Sequence, residues 1–117
     1  MDNRNYIYSP EDRYRHMINI SDSKGNRKIE SFFYLVAKND SIYRQLKDLV
    51  EVEYKKINTK KLLENVNKKE IAYLNIALAL GFDKEINFNN FIEINDKEKK
   101  DVIHAIKIRK GVIYNEF

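Results

Sequence analysis

Residues 68–80 read KKEIAYLNIALAL. Ile71, Leu74 and Leu78 form one apolar stripe at helical spacing, and Tyr73, Ile76, Ala77 and Leu80 form a second, nearly opposite. A helix that is apolar around most of its circumference belongs at the buried centre of a domain. Asn67 stands where an N-cap belongs and Gly81 where a left-handed C-cap does, so the spacing predicts a central helix over 68–81.

The flanking segments supply helices to surround it. Ser9-Pro10-Glu11-Asp12 offers a capping hydroxyl, Pro at the first helical position and acidic groups in the first turn. Tyr14, Met17 and Ile18 then recur at helical spacing, and Ser21 to Asn26 is a loop by composition. Ile29, Phe32, Phe33 and Val36 make the stripe of a second helix. Asp40 or Ser41 can cap a third, which carries Ile42, Leu46, Leu49 and Val50, so the two read as a helical hairpin. Beyond Val50 the pattern alternates through Val52 and Tyr54, which suits an extended segment at 51–57, although the third helix could equally continue through it. Thr59 can cap a short helix with Leu62, Leu63 and Val66. Residues 82–94 read as a loop with one short helix at 89–93, its aromatic residues pinned into the core. The last helix starts at Asn95 or Asp96, has Val102, Ile103 and Ile106 as its stripe, and stops at Gly111.

The expectation is a mainly α, compact single-domain bundle of about five helices spanning 1–117, with an N-terminal arm at 1–8 and a C-terminal tail at 112–117. Composition agrees. One Pro and three Gly leave little for the tight turns of a sheet-rich fold. A 43% hydrophobic and 34% charged chain with eight Tyr and six Phe can build one core under a charged skin.

Several chemistries are excluded. Without Cys there is no disulfide, zinc–thiolate site or thiol nucleophile, and the chain suits a reducing, cytoplasmic setting. No apolar run reaches the length of a membrane helix, and residues 1–8 lack a signal-peptide core. The three glycines, Gly25, Gly81 and Gly111, lie too far apart for a phosphate loop. His16 and His104 have no ligand partners at a convincing spacing, although Asp101, three residues before His104, could orient its ring. Carboxylates are plentiful, but nothing in the sequence sets two of them in one cleft. The reading therefore expects no catalytic residue, no metal and no cofactor, and keeps an unrecognised carboxylate site only as a third alternative.

Two groups remain as candidate interaction residues. Tyr6 and Tyr8 in the arm, with Arg13 beyond them, are types favoured at interface hot spots. Tyr54, Lys55, Lys56, Lys60 and Lys61 could form a local patch of stacking and phosphate-binding groups, with Lys68-Lys69 close by. The net charge of +4 divides evenly between 1–58 and 59–117, so there is no basic arm to single out nucleic acid. The apolar helix at 68–80 is also unsuited to serve as the recognition helix of a helix-turn-helix.

Taken in order, Ser9-Pro10-Glu11-Asp12, Phe32-Phe33-Tyr34-Leu35, Asn39-Asp40 with Tyr43, the apolar helix ending at Gly81, and Ala105-Ile106-Lys107-Ile108-Arg109 span roughly residues 9–109. In that order the chain resembles a family of small helical proteins from Firmicutes and their phages and mobile elements, classed as a domain of unknown function. The resemblance implies no catalytic residues. Together these readings predict a non-enzymatic module that binds another protein, for example an inhibitor of a host defence system of the anti-CRISPR kind. A nucleic-acid-binding accessory protein is the alternative, and oligomeric state is left open.

Overall fold

The computed structural model describes residues 9–53, 63–64 and 66–112, the side chains of 47–53 aside. Helix α1 spans Pro10–Ser21 and is capped as the sequence predicts, with the Asp12 N–H donating to Ser9 Oγ at 3.1 Å. Asp22 ends it in the left-handed conformation (φ 54°). Helix α2, Arg27–Lys38, begins at Asn26, whose side-chain oxygen accepts from the Ile29 N–H at 3.2 Å. Helix α3 covers Asp40–Glu53. Its cap is Asn39 rather than Asp40 or Ser41, because Asn39 Oδ1 accepts from the Ile42 N–H at 3.0 Å. This frees Asp40 for another task. Helix α3 also runs through Glu53, so residues 51–53 are helical where an extended segment was expected. Residues 54–57 lie outside the described residues. Helix propagation needs only one further hydrogen bond per residue, and here it outweighs a three-residue alternation.

Of the short helix expected after Thr59, Leu63, Glu64 and Val66 are described: Leu63 and Glu64 are helical, whereas Val66 is buried in a bend and is not. Helix α4 is Lys68–Phe82, α5 is Asn89–Glu93 and α6 is Asp96–Lys110. Helix α6 opens with a capping box: Asn95 Oδ1 accepts from the Glu98 N–H at 2.8 Å, and Glu98 Oε1 accepts from the Asn95 N–H at 2.9 Å. It closes at left-handed Gly111, over which the Arg27 guanidinium lies. The result is a mainly α, compact single-domain bundle with no strand among the described residues. Its Cα radius of gyration is 13.3 Å, close to the roughly 13 Å expected of a compact chain near this length.

Helix α4 is buried as expected, and α2 shares the centre with it. Helix α2 packs against α1, α3, α4 and α6, and every residue from Ile29 to Ala37 is buried. Its apolar stripe explains one side. On the others, polar groups are satisfied and so tolerate burial. Ser31 Oγ donates to the Lys28 carbonyl at 2.7 Å, and Glu30 Oε2 accepts from the Gly25 N–H at 2.9 Å. The carbonyls of the last turn of α2, which a helix leaves open, are met from three directions. The Tyr73 hydroxyl donates to Leu35 O at 2.5 Å, the Asn39 N–H to Val36 O at 3.1 Å, and Arg13 Nη1 to Ala37 O at 3.3 Å.

Gly81 is not the left-handed cap it was read as. It lies inside α4, and the left-handed residue is Asp83 (φ 56°). A Cβ on Gly81 would stand 2.6 Å from Phe32 Cβ, so glycine lets α4 approach α2 closely. Phe32 meets Phe82 edge-on there, ring centroids 5.1 Å apart.

Candidate docking groove

The outer side of α4 does not face the core of the bundle. Past Ile76 it presents Ala79 and Leu80, and the chain then leaves the helix at Asp83 and folds back through α5. That return brings Ile86 and Phe91 alongside, while α6 supplies Ile106 and, one turn later, Arg109. These residues, with Asp83 and Lys84, line an open groove of about 310 Å³. Its floor is apolar and its charged groups lie at one end.

Asp83 organises that end. Its carboxylate accepts from Lys28 Nζ at 2.5 Å and from Arg109 Nη2 at 2.7 Å, joining the start of α2 to the end of α6. The hydrogen bond from Lys28 is the main influence holding the Asp83 carboxyl below its ordinary range, and Arg109 adds to it.

Beside the groove the surface is unusually apolar. Phe88 is 76% exposed and Ile92, one turn on, 67%. The Phe88 ring leans on that of Phe91, centroids 5.9 Å apart, so the exposed face continues into the groove lining. On α6, Ile103 lies one turn before Ile106 and is 54% exposed. Two expectations are corrected here. The aromatic residues of 82–94 are not all pinned inside: Phe82, Ile86 and Phe91 pack on the core, whereas Phe88 does not. The buried stripe of α6 is Val102, Ala105 and Ile108, so Ile103 turns outward. The spacing of Phe88 and Ile92, four residues apart and so on one face of a helix, was the available signal.

A second cluster sits between α2 and α6. The His104 ring stacks on Tyr34, centroids 4.6 Å apart and 20° between planes. Lys38 Nζ lies 5.5 Å from the centre of the Tyr34 ring and 4.0 Å from Asp101 Oδ1. Burial raises the Asp101 carboxyl above its ordinary value despite Lys38, Lys97 and His104, which pull it down. Burial, and secondarily Asp101, push the Tyr34 hydroxyl up to about 12. None of these four residues lines the groove.

Of the candidate interaction residues, Arg13 is buried. It donates from Nη2 to Asp40 at 2.5 Å as well as to Ala37 O, and its guanidinium lies 5.2 Å from the centre of the Tyr43 ring. Its contacts tie α1 to the α2–α3 turn. Tyr6, Tyr8, Tyr54, Lys55, Lys56, Lys60 and Lys61 lie outside the described residues. Lys68 and Lys69 are exposed in the first turn of α4 with Glu70 beside them.

Among the described residues no group of three or more His, Asp or Glu is placed to hold a metal ion, and no helix is long and apolar enough to cross a membrane. No protein-family model, no curated protein and no solved structure matches the chain.

Proposed function

We propose that this chain is a protein-interaction module that binds its partner through the groove between α4, α5 and α6 and the Phe88–Ile92 face beside it. One observation carries this reading: two large apolar side chains one helical turn apart stand largely in water and lead directly into an apolar groove. Covering a side chain of that kind is worth roughly 1.5–3 kcal/mol, so a surface of this shape is held in reserve for a partner. The groove volume, about 310 Å³, is at the low end of the roughly 300–1,000 Å³ of small-molecule sites. That suits the anchoring side chains of another protein better than a large cofactor.

The test is site-specific photo-crosslinking in cells of the source organism. A photoreactive residue at position 88 or 92 should capture one discrete species that the same probe at exposed Lys24 does not. A species of twice the chain mass would make the partner a second copy. Equal capture from all three positions, or none, would refute the proposal.

A further inference from the structure

We infer, on the reading of the groove as a docking site, that its partner is a protein segment whose apolar anchor is flanked by carboxylates. The rim selects for this. Lys84 lines the groove and forms no ion pair among the described residues. Arg109 also lines it, and Lys110 is exposed one turn after Ile106, on the same side of α6. Asp83 stands among these cations, but its single charge is shared between Lys28 and Arg109. Glu85, exposed next to Lys84, offsets one positive charge. The sum of Lys28, Lys84, Arg109 and Lys110 against Asp83 and Glu85 is positive, over an apolar floor. A partner presenting a Leu or Phe with Glu or Asp on either side matches both features. A nucleic acid would match the rim alone, because its outer surface is phosphate and supplies no aliphatic anchor for Ile76, Leu80 and Ile106.

The experiment titrates the whole chain with three probes and follows the methyl resonances of Ile76, Leu80 and Ile106. The first is a short helical peptide with Leu and Phe four residues apart and Glu at the remaining outer positions. The second has Lys in place of every Glu. The third is a single-stranded DNA oligonucleotide. The acidic peptide is expected to bind about ten-fold tighter than the basic one at low salt, a preference that shrinks as salt screens the rim. In Lys84→Glu/Lys110→Glu, both changes at exposed positions, the preference should vanish or reverse. Equal affinity of the two peptides, or a basic preference, would overturn the charge assignment and leave groove docking standing. DNA moving the same methyls as strongly as the acidic peptide would overturn the choice of a protein segment. If no probe moved those methyls, both the docking reading and this inference would fall.

Discussion

Replacing Gly81 by Ala sets two physical effects of opposite sign against each other. Helix propensity favours the substitution, since Gly in a helix interior is about 1 kcal/mol worse than Ala. Gly81 lies in the last turn of α4 without a positive φ, so Ala can adopt its backbone and that gain is available. Packing opposes it. The added Cβ would meet Phe32 Cβ at 2.6 Å and Cγ at 3.0 Å, where carbon atoms normally approach no closer than about 3.5–4 Å. Phe32 is fully buried, and its Cβ is fixed to the α2 backbone, so no rotamer change moves it away. The helices must separate by several tenths of an ångström at the centre of the bundle, and overpacking of this kind costs about 1–3 kcal/mol. The nearest obstacle is the least movable atom of Phe32, which puts the cost at the upper end. The net expectation is a loss of about 1–2 kcal/mol. With a slope near 1.5 kcal/mol per molar urea, the unfolding midpoint should fall by about 1 M while the slope stays unchanged. A midpoint that rises would show that Gly81 merely weakens its helix and that the α2–α4 approach is looser than described.

The Arg13–Asp40 pair should respond asymmetrically. Asp40→Ala removes the carboxylate that both Arg13 and Arg44 share and should cost about 2 kcal/mol, whereas Arg13→Met keeps much of the packing volume, leaves Asp40 paired with Arg44 and should cost about 1, and urea unfolding of both variants decides the order. Asp83 is held below its ordinary value when folded, chiefly by Lys28, so it binds fewer protons folded than unfolded. Its stabilisation is therefore present above the usual carboxylate range and is lost as pH falls through it. Thermal unfolding of Asp83→Asn should accordingly fall below wild type at neutral pH and converge with it in acid. Asp101 is raised by burial and has the opposite sign: the folded state holds its proton more tightly, so stability declines as pH rises through the window above the ordinary carboxylate value. Asp101→Asn should flatten that decline, and a variant as pH-dependent as wild type would assign the effect to another group.

What the sequence made legible was periodic or local. The stripes of α1 and α2, the Ser9 cap and the stop at Gly111 each depend on residues within a few positions, and the structure forms all of them; of the α3 stripe, Ile42 and Leu46 are buried, and the side chains of Leu49 and Val50 lie outside the described residues. Gly81 shows the limit. A glycine after an apolar helix is equally a terminator and a site of close approach, and only the position of Phe32, 49 residues earlier in the chain, separates the two. Arg13 shows it again. As a composition feature it is an exposed cation near an N-terminal arm. In the fold it is enclosed, because Asn39 takes over the capping of α3 and releases Asp40 to receive it.

The groove was harder to read because its residues are the ones that a hydrophobicity pattern assigns to the core. Ile103 differs from its buried neighbours Val102 and Ala105 only in phase, and Phe88 from Phe91 only in standing just outside the helix. On a five-residue helix two apolar directions cannot both turn inward, since one turn of chain has a single side against α4. Asn90, which is buried, and Phe91, half-buried on the core, take that side, and Phe88, just before the helix, and Ile92 are left facing water. The same geometry explains why the exposed pair lies beside the groove rather than elsewhere. The segment that returns from Asp83 is too short to cover the outer side of α4, so the place where its own apolar residues emerge is also where Ala79 and Leu80 remain open. Exposure of Phe88 and opening of the groove thus share one cause, the brevity of α5. An insertion lengthening α5 by a full turn should therefore reduce both together.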